Sequence, residues 1–163
     1  MTGFSVAPKH EAKKRHMRIE NCRLKPSFLA AVRGDELVIE NKSDFPFLPK
    51  LKRDSFLQAI LKGTSRKARL DGVGPQRISC GFASPCGVVD LVVLGHPVFA
   101  MTDAQGRFEI DNLPKLGDSE QSLILHAWHP LLKQHKALLS KQTDLSHEIQ
   151  IEMQAAPAKN GIK

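Results

Sequence analysis

Apolar and polar side chains alternate with a period of two along much of this chain. Leu37 and Ile39 stand among Glu36, Val38 and Glu40; Phe108 and Ile110 among Arg107 and Glu109; and Ile149, Ile151 and Met153 among Glu148, Gln150 and Glu152. Successive side chains of an extended strand point to opposite faces, so this period predicts half-buried strands. Turn-forming clusters divide the runs at short intervals: Arg33-Gly34-Asp35, Lys62-Gly63-Thr64, Asp71-Gly72-Val73-Gly74-Pro75, Asp103-Ala104-Gln105-Gly106 and Pro114-Lys115-Leu116-Gly117-Asp118. Many short strands punctuated in this way predict an all-β sandwich or barrel. Two stretches compete as helices. Phe56, Leu57, Ile60 and Leu61 have helical spacing over residues 54–61, for two turns at best. Leu131, Leu132, His135, Leu138 and Leu139 can share a helical face over 130–139, where a loop followed by a strand is preferred. Residues 1–15 read as a flexible basic arm and 155–163 as a frayed tail. A change of composition near Gly95 marks the end of a first unit.

A length of 163 residues suits one domain, or one domain with a substantial extension. The longest apolar stretch, Val88 to Leu94, is interrupted by Asp90, so no membrane span is expected. The segment from Met1 to Asn21 is polar and basic, without the apolar centre of a secretory signal. That reads as a cytoplasmic protein or as one whose leader is missing. The net charge of +7 is unevenly placed: Lys50 to Arg77 holds eight Lys or Arg against Asp54 and Asp71. Such a field favours an acidic protein or another anionic surface as partner, with Arg66, Lys67 and Arg69 expected to carry most of it. A solvated face is the plainer reading of the same run. Nucleic acid is not expected, because single-strand binders need aromatic platforms and this chain has no Tyr and one Trp.

Candidate chemistry is sparse. Cys22, Cys80 and Cys86 fit no zinc template, since there is no CxxC and no Cys–His pairing at finger spacing. His126 and His129 fall on opposite faces of a strand and read as structural. Asp103 and Asp111 bracket a short hairpin as turn formers. No Gly-x-Ser-x-Gly and no catalytic carboxylate pair is present, so an enzyme is the third-ranked class after a binding module and a redox protein.

An ordered series of motifs resembles a cupredoxin, the fold of plastocyanin and azurin. Cys22-Arg23-Leu24-Lys25-Pro26 and Val32-Arg33-Gly34-Asp35-Glu36-Leu37-Val38-Ile39-Glu40-Asn41 look like its opening. Gly63-Thr64-Ser65-Arg66 and Ile78-Ser79-Cys80 resemble its later strands. His96-Pro97-Val98-Phe99-Ala100-Met101-Thr102-Asp103, Gly106-Arg107-Phe108-Glu109-Ile110, Leu113-Pro114 and Ala127-Trp128-His129 resemble an exported bacterial subgroup. In that subgroup a carboxypeptidase regulatory-like sandwich follows the copper domain. The resemblance therefore implies a cupredoxin-like Greek-key sandwich over 16–95, an additional β-sandwich-like C-terminal extension over 96–154, and export.

The copper site that the resemblance implies is largely missing. A blue-copper centre takes two imidazoles, a thiolate and a weak axial thioether. The family's first His belongs to the loop that here reads Lys42 to Pro49, without a His. In the loop Cys80 to Cys86, Ala83 falls at the usual His position and Cys86 at the usual Met position, so only Cys80 carries over. Three readings of the two sulfurs stand: packed apolar side chains, a Cys80–Cys86 disulfide, or a soft ion such as Cu(I). The expectation is a non-enzymatic binding or scaffold module with a degenerate copper site and no cofactor. The alternative is a copper-binding or electron-transfer protein using Cys80 and Cys86 with His96.

Overall fold

The computed structural model describes residues 8–51, 58–82, 86–111, 113, 124–131 and 139–142. They fall into two units: Pro8–Pro97 with Met101–Phe108, and Val98–Ala100 with the described residues from Glu109 onward.

The first unit is built from eight strands: β1 (Lys14–Glu20), β2 (Arg23–Lys25), β3 (Phe28–Val32), β4 (Glu36–Asn41), β5 (Pro49–Lys50), β6 (Ser65–Arg69), β7 (Gly74–Cys80) and β8 (Val89–Leu94). One sheet has the order β2-β1-β4-β6 and the other β3-β8-β7-β5. The chain passes between sheets at Pro26 and Ser27. Each sheet holds one parallel pair, β1 with β4 and β3 with β8, because the connection between those partners runs through the opposite sheet. This is a cupredoxin-like Greek-key sandwich.

The period of two is realised as burial. Met17 and Ile19 of β1 and Leu37 and Ile39 of β4 turn inward to meet Ile78 of β7 and Val89, Leu91 and Val93 of β8 in one apolar cluster. Removing this much apolar surface from water is the main force holding the sheets together, at about 25 cal/mol per Å². Gly34 carries a φ of 94°, in the left-handed region that the tight turn into β4 requires.

The arm read as flexible to residue 15 is anchored well before that point. Lys13 bonds to Glu36 through its carbonyl at 3.0 Å, and His10, Lys13 and Arg15 all bond to the buried carboxylate of Asp35. In the considered helix over 54–61, the described residues Gln58 to Leu61 form a bend and a bridge, Phe47 pairing with Ile60, while 52–57 lie outside the described residues. The expected strand at Phe108 and Ile110 does not form. Arg107, Phe108 and Glu109 are exposed, and among the described residues no neighbouring strand takes up their backbone bonds. Asp103 instead closes a turn, its carboxylate accepting from the Gln105 and Arg107 N–H groups at 2.9 Å each.

In the second unit, β9 (Ile124–Ala127) and β10 (Leu139–Gln142) form an antiparallel pair. Of the loop and strand preferred over 130–139, the described residues are a turn at Pro130–Leu131 and the start of β10 at Leu139, while 132–138 lie outside the described residues. The expected strand at Ile149 to Met153 lies outside the described residues, as does most of the proposed extension.

Candidate functional site

The site that the resemblance implies lies at the end of the sandwich where β4 finishes and β7 delivers Cys80. Asn41, the last residue of β4, is fully buried and organises this end. Its amide nitrogen donates to the carbonyls of Phe45 and Ile60, each at 2.8 Å, and its amide oxygen accepts from the Ser43 N–H (2.9 Å) and hydroxyl (2.7 Å). Its backbone N–H donates to the Thr64 carbonyl, and its carbonyl accepts from Gly63. One side chain thus joins the loop after β4 to the turn before β6. A buried amide with every group paired stabilises; the same amide unpaired would destabilise.

The loop then packs down onto β7. Phe47 is buried and exchanges backbone bonds with Ile60 at 3.0 and 2.7 Å. The Leu48 carbonyl accepts from the Gly81 N–H at 2.7 Å, and Pro49 pairs with Cys80. A Cβ at Gly81 would lie 3.0 Å from Leu48 Cδ2, so glycine here is what lets the two loops meet. The Phe45 to Pro49 loop therefore sits beside Cys80, as the resemblance implies.

The sulfur chemistry differs from expectation. Cys86 is bonded to Cys22, with sulfurs 2.08 Å apart, and not to Cys80. Asn21 and Cys22 both take left-handed φ values, 50° and 52°, in the two-residue turn between β1 and β2. That turn aims Cys22 at the loop preceding β8, where the Leu24 N–H also donates to the Cys86 carbonyl. Cys80 keeps its thiol and faces the apolar cluster with Ile78.

The set Cys80, Cys86 and His96 is not assembled. The disulfide takes the Cys86 thiolate away, and His96 lies beyond the opposite end of β8. Ile78 pairs with Val89 and Gly74 with Val93, so Cys80 projects past the Val89 end while His96 follows Leu94. Six residues of strand separate those ends, about 20 Å. Among the described residues no three His, Cys, Asp or Glu side chains gather to hold a metal ion. A mononuclear copper centre takes imidazole, and the described loop from Lys42 to Pro49 beside Cys80 holds none.

The basic segment is likewise redistributed. Arg66, Lys67 and Arg69 lie on β6 in the first sheet, whereas Lys50 and Arg77 lie on β5 and β7 in the second. Lys67 meets Glu36 at 3.4 Å, Arg69 meets Asp71 at 3.1 Å and Arg77 meets Asp90 at 3.0 Å. A run contiguous in sequence is thus divided between sheets and partly neutralised. Lys62 pairs with Asp44, whose carboxyl it holds below the usual range by its hydrogen bond and charge. The histidines of 126–129 play local parts: the His129 ring accepts from the Leu131 N–H at 3.1 Å, and burial lowers the pKa of His126.

Four large apolar side chains remain exposed on the loops at this end: Phe45 (63%), Leu61 (60%), Phe82 (53%) and Val88 (47%). Of Phe45, Phe47, Leu48 and Phe82 in the two loops beside Cys80, only Phe47 is fully buried.

No protein-family model and no curated protein matches the sequence. Among solved structures, the chain is similar to amicyanin from Paracoccus versutus, at 12% identity and a TM-score of 0.41 over 48% of this chain and 78% of that one. It is similar to a reduced amicyanin mutant at 16% identity and a TM-score of 0.39, over 48% and 79%. It is also similar to a purple cupredoxin from Nitrosopumilus maritimus at 15% identity and a TM-score of 0.38, over 51% and 99%. These likenesses add no argument about function to the fold read from the strand order.

Proposed function

We propose that this chain is a non-enzymatic binding module on a cupredoxin-like sandwich, in which the copper loops have become an apolar docking end. The observation that carries this reading is the Pro49–Cys80 pairing with Leu48 packed against Gly81. The loop from Lys42 to Pro49 brings no imidazole to Cys80, while Phe45, Leu61, Phe82 and Val88 are exposed on the loops at this end. Arg23, next to Cys22, and Lys50, paired with Ser79 beside Cys80, are exposed and give this end a cationic rim. An apolar centre with a charged rim suits a protein partner whose own rim is acidic. Residues 96–154 are read as a carboxypeptidase regulatory-like β extension, in which β9 and β10 are the described strands. The Cys22–Cys86 disulfide supports an oxidising compartment, in keeping with the export that the resemblance implies.

Titration of the purified protein with Cu(II), followed by visible absorption and by metal analysis after desalting, tests the reading. The expected result is no intense thiolate-to-copper band and no retained stoichiometric copper. Appearance of that band in the unmodified protein would sink the degenerate-site reading and restore the electron-transfer alternative.

A further inference from the structure

The outer edge of β6 combines open backbone groups with cationic side chains. Among the described residues β6 pairs only with β4 and is the last strand of its sheet. Two flanking bonds fix which way each peptide group points: the Asn41 N–H donates to the Thr64 carbonyl (3.0 Å) and the Leu70 N–H to the Asp35 carbonyl (2.8 Å). Residues in an antiparallel ladder alternate between bonding to the neighbour and facing away from it. Thr64, Arg66, Ala68 and Leu70 therefore turn their peptide groups toward β4. Ser65, Lys67 and Arg69 turn theirs to the open edge.

Side chains add charge to this edge. Arg66 registers with the buried Ile39 but is itself exposed, and its guanidinium donates to the Ser65 carbonyl at 3.1 Å, with no carboxylate beside it among the described residues. Lys67 and Arg69 have carboxylate neighbours, but both cations are more than half exposed, so those pairs exchange readily with other carboxylates. The other described edges differ. β5 has two residues and β2 three, and Leu29 to Val32 of β3 are buried. A cationic edge repels a second copy of itself, which is how such charges keep a sheet from polymerising. An acidic strand meets no such barrier.

We propose that β6 is a strand-addition edge for an extended acidic peptide segment of a partner protein. Its backbone pairs with Ser65, Lys67 and Arg69, and its carboxylates meet Arg66, Lys67 and Arg69. This surface is separate from the apolar end and does not depend on the loss of copper ligands.

The full chain is titrated with a synthetic seven-residue peptide alternating glutamate and threonine, and with the same peptide N-methylated at alternate residues to remove its ladder donors without changing its charge. The unmethylated peptide is expected to bind at low salt and to slow hydrogen exchange at the Lys67 and Arg69 amides. Exchange at Arg66 and Ala68, already bonded to β4, stays as it was. N-methylation is expected to weaken binding by about tenfold, since it deletes several backbone hydrogen bonds. Lys67→Pro removes an outward N–H while leaving the β4 ladder intact and is expected to abolish the exchange protection. Should that variant fail to fold, the two peptides on the unmodified protein still decide. Equal binding of both peptides with unchanged exchange would mean a charged surface only. No binding by either, or protection of β6 through self-association, would likewise overturn the proposal.

Discussion

The two ends of β4 are closed by opposite chemistry. Where β4 begins, the carboxylate of Asp35 is fully buried and gathers four donors: His10 Nε2 at 2.6 Å, Arg15 Nε at 2.7 Å, and the N–H groups of Lys13 and Val32 at 2.8 and 3.0 Å. Burial alone would raise its pKa. The backbone N–H groups of Val32 and Lys13, with His10 and Arg15, outweigh burial and hold it well below the usual carboxylate range. Where β4 finishes, a neutral amide, Asn41, does the joining, and the loops it ties expose apolar side chains. The first end spends its polar groups on fixing the N-terminal segment to the sheet. The second fixes its loops with one amide and leaves apolar side chains exposed. A charged hub resists change over a wide pH range, whereas an amide hub does not respond to pH at all.

The difference can be broken in four ways. Phe47→Ala removes a fully buried ring beneath the amide end and is expected to destabilise by about 4 kcal/mol in urea unfolding. Asp35→Asn leaves Arg15 and His10 beside a neutral amide and is expected to cost about 3 kcal/mol. In the unmodified protein the Asp35 contribution is complete above the ordinary aspartate value of about 3.9 and is lost as pH falls below it toward the lowered folded value. The variant should therefore show a shallower loss of stability between neutral and strongly acid pH. A slope equal to that of the unmodified protein would remove Asp35 from the account. Asn41→Ala deletes the four hydrogen bonds of a buried side chain, leaving the Ile60 carbonyl only its bond from the Phe47 N–H, and is expected to cost about 2 kcal/mol with no change in pH dependence. Phe45→Ser, at an exposed position, is expected to change stability by less than about 0.5 kcal/mol. A larger loss would mean that the ring packs onto the protein and is not held out for a partner.

The strands of the sandwich were legible because burial on one face writes itself directly as a period of two, as in Leu37 and Ile39. Phe108 and Ile110 show the limit of that signal: alternation makes a strand only when a neighbouring strand accepts its bonds. The disulfide was not legible. Spacing favours Cys86 with Cys80, six residues away, but the two-residue turn at Asn21–Cys22 brings a sulfur from 64 residues away instead. His96 is near Cys80 in sequence and a strand length away in space, because β8 carries the chain across the sheet between them. Asn41 was visible as the end of a strand, yet its four bonds join segments whose proximity only the folded chain creates. The cationic run was visible as charge, while its division between an edge strand and a second sheet depends on strand order.

The Cys22–Cys86 bond also changes what the chain is as a covalent object. Everything from β2 through β7 becomes a closed ring, with β1 and β8 leaving it as two tails from almost the same point. A single protease cut anywhere inside that ring opens it without releasing a fragment. Nicked molecules would keep the mass of the intact protein plus one water and migrate as one species until a reductant separates them. Damage to any loop between the two cysteines is thereby confined to conformation, while a cut in either tail sheds its sequence for good.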